Sequence, residues 1–159
     1  MGPTTALAAP TALDALNRWA PVVWLRTDPY AYPTLEIVHL LGLALVFGTL
    51  WVVDLAIFGK LRFVEVNQLA RQILPWTLAG FLIAAASGMT MFMSGVGDLI
   101  ANPAFVAKMG LLCVAGANAA VLHARGPINP ASIATRAQAV MSILLWVAVI
   151  ACGRWIGYL

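Results

Sequence analysis

Four stretches of this chain are too long, too apolar and too poor in charge to fold in water, and they set its architecture ahead of any other feature. They run over residues 34–58, 74–95, 103–124 and 137–158. Each reaches or approaches the roughly 20 residues that a helix needs to cross about 30 Å of hydrocarbon. No water is present there to satisfy backbone N–H and C=O groups, so a helix, which pairs its own, is the economical way across. Composition agrees: 62% of the 159 residues belong to the AVILMFWYC set and 9% are charged, against about half and about a quarter in soluble domains. The expected fold is all-α, an integral membrane four-helix bundle. Nucleic-acid binding, disorder and a secreted disulfide scaffold are poor readings, since the net charge is only +3 and Cys113 and Cys152 both sit in apolar runs.

Residues 1–33 differ from the 34–159 membrane domain. Leu13, Leu16, Ala20, Val23 and Trp24 recur at helical spacing with Asp14, Asn17 and Arg18 between them, interrupted by Pro21. This reads as a short N-terminal interfacial helix lying on the bilayer. The segment lacks a basic start, so a cleaved signal peptide is not expected. Tyr32-Pro33, 95–101 and 126–130 read as connections, and Asn102-Pro103 as an N-cap with proline in the first turn.

Basic residues in the short loops predict the orientation. Lys60, Arg62, Arg71, Arg125 and Arg136 lie on one side, and only Arg18 and Arg26 on the other. In a bacterial inner membrane this bias puts both termini in the periplasm. Trp24, Tyr30, Tyr32, Trp155 and Tyr158 then form the outer aromatic belt, and Trp76 belongs to the inner one.

An ionisable side chain in hydrocarbon is costly, so those inside the spans are the most informative residues. His39 and Lys108 fall at a shared depth, about 7 to 9 Å below the outer face. Glu36 lies on the His39 side of its helix, three residues earlier, and Arg154 returns to the same face near the C-terminus. Asp54 follows His39 by fifteen residues, as His123 follows Lys108. The spacing predicts an outer tier of Glu36, His39, Lys108 and Arg154 and an inner tier of Asp54 and His123, with Asn118 bonded to a neighbouring helix between them. One carboxylate faces two fixed cations in the outer tier, and that surplus points to an anionic group missing from the sequence. The plain alternative is a packed ion-pair cluster, and for the inner tier simple access to interfacial water.

Three further patterns bear on packing. Gly80, Ala84 and Gly88, and again Gly116 with Ala120, have the spacing of close helix contacts. Met89 and Met93 share a helix face that offers thioethers to Cu(I), with adaptable packing as the ordinary alternative. Trp146 falls in mid-span and is expected to pack inside the bundle or against a flat ligand.

Tyr32-Pro33, Glu36, His39, Gly42, Asp54-Leu55, Leu74-Pro75-Trp76, Asn102-Pro103-Ala104-Phe105, Lys108, Asn118, His123, Leu145-Trp146 and Gly153-Arg154 together resemble an uncharacterised family of small four-helix bacterial inner-membrane proteins. The likeness covers nearly the whole chain. More distantly, the early histidine and the Pro-x-Phe-x-x-Lys opening are similar to copper-resistance D proteins and to the HemJ type of protoporphyrinogen oxidase. The HemJ likeness implies that His39 serves haem and that Lys108 is functional; the copper-resistance likeness implies copper passage.

Three functions are therefore carried forward. The first is a b-type haem near the outer face, with His39 as axial ligand, Lys108 or Arg154 pairing with propionates, and Glu36 orienting His39. The second is copper binding or transport through His39, Met89 and Met93, with Cys152 near the same face as a further candidate ligand. The third is a non-catalytic subunit of a membrane complex or homo-oligomer, holding no cofactor. Whether the chain is an enzyme stays open: no nucleophile-base constellation, phosphate loop or spaced carboxylate pair is present.

Overall fold

A computed structural model describes residues 12–61 and 63–159, and the side chains from residue 14 onward apart from Arg62. Residues 1–11, part of the expected interfacial segment, and Arg62, one of the five basic loop residues, lie outside the described residues. The described residues form helices α1 (Ala12–Asn17), α2 (Ala20–Thr27), α3 (Ala31–Ile57), α4 (Val66–Ser94), α5 (Val96–Ala101), α6 (Pro103–Ala124) and α7 (Ile133–Trp155), with no strand among them. Helices α3, α4, α6 and α7 are each long and apolar enough to cross a membrane. The chain is a multi-pass, all-α membrane protein.

Local chemistry explains where the helices begin and end. The α4 start is earlier than the expected residue 74, because the Glu65 carboxylate caps it by accepting from the backbone N–H groups of Asn67 and Gln68. The first two turns of α4 are thus polar, and the charge boundary at Arg71 marked the edge of the apolar stretch rather than of the helix. Helix α6 starts as expected, with Asn102 accepting from Ala104 and Phe105 N–H and proline in the first turn. After α3 the chain turns through Gly59 at φ 72°, which lets Lys60 N–H reach Leu55 C=O and Gly59 N–H reach Ala56 C=O. Residues 96–101, expected to be a connection, form the short helix α5.

The N-terminal segment is a bent pair of helices, with Pro21 in the first turn of α2, where its missing N–H costs nothing. Val22 and Leu25 are the buried residues of α2, and the helix packs on the ends of α3 and α4. Val23 and Trp24, expected on the apolar face, are 41% and 59% exposed. Arg26 fastens the segment by donating from Nε to Ser94 C=O at the α4 C-terminus (2.6 Å) and from Nη2 to Asn17 (2.9 Å).

Two antiparallel pairs make the bundle. Helix α3 packs most extensively with α4 and α6 with α7, and the pairs join where α3 meets α7. Val46, Ile57 and Val149 are fully buried in this arrangement. Only 6% of the most apolar stretch of α6 is buried inside the protein, so the rest of the chain leaves most of that helix uncovered. The α3–α4 contact is a seam of small residues: a Cβ on Gly42 would stand 2.7 Å from Ala84 N, and one on Gly80 would stand 3.0 Å from Gly42 O. This confirms the packing reading of Gly80 and Ala84. Gly116 has nothing within 4 Å of its Cβ position, so the matching expectation for α6 is corrected.

Two measurements follow. Gly42→Val should lower detergent-phase stability by about 1 to 3 kcal/mol through overpacking, while Gly110→Val, where the added side chain meets open space, should leave the melting temperature nearly unchanged. Hydrogen bonds from Asn67, side chain first and then backbone, and from Gln68 N–H hold the Glu65 carboxyl below its ordinary value of 4.5. The cap is therefore fully present above pH 4.5 and is lost as pH falls through the lowered value. Amide exchange at Asn67 and Gln68 should accelerate only below that range.

Candidate functional site

His39 is set into the small-residue seam. Its ring lies over Gly88, where a Cβ would approach Cε1 to 3.0 Å, Nδ1 to 3.3 Å and Nε2 to 4.0 Å. Only glycine leaves room for the imidazole here. Nδ1 lies 2.8 Å from Ala84 C=O and 3.2 Å from Ser87 Oγ. Because a carbonyl only accepts, Nδ1 must carry the proton, and in the neutral ring the lone pair is at Nε2. The Ser87 hydroxyl donates to Ile83 C=O (2.6 Å), so its oxygen is free to accept from the same Nδ1–H. No hydrogen bond engages Nε2 among the described residues, and no buried side-chain nitrogen or oxygen among them lacks a partner. Nε2 is thus accessible rather than walled in.

Lys108 comes to the same level from α6. Its chain runs along Gly153 of α7, whose Cβ position lies 3.5 Å from Nζ, and the Cys152 thiol is its electrostatic neighbour. Lys108 and Glu36 are in turn the charged groups acting on His39. Each spanning helix therefore brings a polar group to one depth: His39 from α3, Ser87 from α4, Lys108 from α6 and Cys152 from α7. One turn farther out, Phe92 of α4 and Phe105 of α6 stack with centroids 5.4 Å apart and roof the level.

Arg154 does not join this group. It is exposed, donates from Nη2 to Tyr158 Oη (2.7 Å) and lies over the Tyr158 ring at 5.0 Å. It has snorkelled to the interface, as a long cation near a helix end does. The structure thus keeps His39 and Lys108 at one level, with Glu36 exposed one turn away on α3, and the excess of two cations over one acid is gone.

The methionine set is not brought together either. Five and nine residues beyond Ala84, at about 100° each, Met89 and Met93 fall on the side of α4 away from His39, and Met89 is 59% exposed. Among the described residues no three His, Cys, Asp or Glu side chains converge as a metal site.

The inner tier separates because α3 and α6 are not neighbours: α7 stands between them. Asp54, 5% exposed, faces α7 and is hydrogen-bonded to Ser142. His123 is exposed on α6, with Nδ1 2.8 Å from Ala119 C=O of its own helix. Asn118 behaves as expected, donating across to Gln138 C=O on α7 (3.1 Å). Trp146 is half-buried in mid-span. Sequence reasoning missed Ser87 and Ser142. The one signal for Ser87 was a hydroxyl on the Gly80, Ala84, Gly88 face.

The fold is that of a small helical membrane protein with four helices long and apolar enough to span a bilayer. The chain belongs to a family of unknown function, DUF6644, which it matches over residues 26–159. No curated protein and no solved structure matches it. The more distant likeness to copper-resistance D and HemJ-type proteins therefore rests on the sequence motifs alone.

A double-mutant cycle tests the seating of His39. Gly88→Ala should destabilise the protein by pushing the imidazole off Ala84, and the same change in a His39→Ala background should cost less. A coupling of at least about 0.5 kcal/mol is expected for residues in direct contact, read from unfolding in detergent.

Proposed function

We propose that this chain is a bacterial inner-membrane protein with both termini in the periplasm, and that it holds a b-type haem through Nε2 of His39. The observation that carries the reading is the Ala84 carbonyl on Nδ1 (2.8 Å). That bond fixes the tautomer, aims the ring and raises the basicity of the opposite nitrogen, as the outer hydrogen bond of a metal-binding histidine does.

The residues present suit the group in two further ways. Lys108 supplies a cation for a propionate at the same depth, a role no longer open to Arg154. The stacked Phe92 and Phe105 rings offer an aromatic surface on the outer side of that level. Met89 and Met93 face away from His39, so among the residues proposed to hold the group His39 would bind it and Lys108 would pair with it. Bound haem would supply one-electron chemistry or a site for a small ligand. The chain's own part is to present Nε2, balance a carboxylate with Lys108, and set the charge felt by the imidazole through Glu36.

A second reading has its own observation. The His39 bond to Ala84 and the Gly88 slot also bolt α3 to α4, which is what a non-catalytic subunit would need.

An absorption spectrum of protein extracted from haem-replete cells separates the two. The haem reading predicts a Soret band that shifts with carbon monoxide, disappears in His39→Ala, weakens in Lys108→Gln and persists in Arg154→Gln. Colourless wild-type protein, with His39→Ala affecting only stability or assembly, would leave the structural subunit.

A further inference from the structure

At the end of the bundle that carries Lys60, Arg71, Arg125 and Arg136, a recess of about 250 Å³ opens between the start of α4 and the end of α6. Its walls include Asn67, Arg71 and Leu74 of α4, His123 of α6, and Gly126 and Ile128 of the following loop. We infer that this recess binds the phosphate of an anionic glycerophospholipid, with Arg71 and His123 on the headgroup and Leu74 and Ile128 against its apolar part.

Position is the first support. Asn67 is the second residue of α4 and His123 the last but one of α6, so the recess lies where the helices leave the hydrocarbon and lipid phosphates reside. Helices α4 and α6 make no extended contact, which leaves the opening accessible from the bilayer.

Charge is the second. Arg71 Nε donates back to Asn67 C=O (3.3 Å), leaving the terminal guanidinium fork for a phosphate oxygen. The His123 ring is held by Nδ1 on Ala119 C=O, so its other nitrogen faces away from its own helix. No acid lines the recess; the adjacent Glu65 caps the α4 N-terminus and is also within electrostatic reach of Arg71.

Preorganisation is the third. The Asn67 side chain holds the loop across the recess by donating to Ile128 C=O (3.1 Å) and accepting from Ile128 N–H (2.6 Å). The loop turns away from α6 at Gly126, φ 86°, where any other residue would be strained. The largely apolar wall favours a lipid over a free ion, and basic pockets between helices at a membrane face are used in this way. None of this rests on what His39 holds.

Native mass spectrometry of the whole protein, equilibrated with equal amounts of phosphatidylglycerol and phosphatidylcholine, tests the proposal. The wild type should retain phosphatidylglycerol preferentially. Arg71→Gln combined with His123→Gln should reduce that preference by about fivefold, the attraction of roughly one surface arginine. Arg71→Lys, which keeps the charge, and Arg136→Gln, which lies outside the recess, should both retain it. An unchanged preference in the double variant would overturn the site. Equal loss in Arg136→Gln would attribute binding to general basicity, and equal loss in Arg71→Lys to damage of the fold; either overturns the proposal. Inorganic phosphate that displaces the lipid and stays bound would assign the recess to the free ion.

Discussion

The approach of α3 to α4 governs the rest of this structure. In a bilayer, lipid tails are as apolar as the helices, so association depends on close packing and a few interhelical hydrogen bonds rather than on escape from water. Gly42 against Ala84, and Gly80 against Gly42 C=O, let two backbones meet where any larger residue would hold them apart. The same proximity places an α4 carbonyl within reach of an α3 imidazole. Thr77 repeats the device deeper in the membrane, donating to Thr49 at 2.9 Å. His39 is oriented because the helices are close, and its bond to Ala84 helps to hold them so.

A second constraint is the order of the helices around the bundle. Because α7 stands between α3 and α6, groups at equal depth on those two helices need not meet. Near one end they share a level through Lys108, a side chain long enough to pass along Gly153 toward the centre. Near the other end, Asp54 turns to Ser142 and His123 turns outward. The two ends thus divide the work: an imidazole level under an aromatic roof at one, and a basic recess held by Asn67 and Ile128 at the other.

What was legible in the sequence follows from what is local. Span number, the α6 boundaries and the Asn102 cap depend on hydropathy and on neighbours a few residues apart, and all were readable. The shared depth of His39 and Lys108 was readable too, since rise per residue is nearly constant. Azimuth was not. Arg154 has the depth of the outer tier but lies one turn from Tyr158, and its guanidinium went to the phenol and the interface. Met89 and Met93 share a face, yet which way that face points depends on Gly42, Gly80 and Ala84 choosing the opposite side of α4. The early α4 start leaves no hydropathy signal, because Glu65, Asn67 and Gln68 build that helix end from polar residues. Val22 and Leu25 were passed over for Val23 and Trp24, since an apolar residue near a membrane surface gives no sign of whether protein or lipid will cover it.

The central claim is that the Ala84 carbonyl fixes His39 with its proton on Nδ1 and an available electron pair on Nε2. Nitrogen-15 spectroscopy of imidazole-labelled protein in bilayers, with His123→Gln to leave a single ring, reads this directly. The account predicts one N–H, at Nδ1, in contact with the Ala84 carbonyl carbon, and an unprotonated Nε2. A proton on Nε2 with a bare Nδ1, or a ring remote from Ala84, would contradict it.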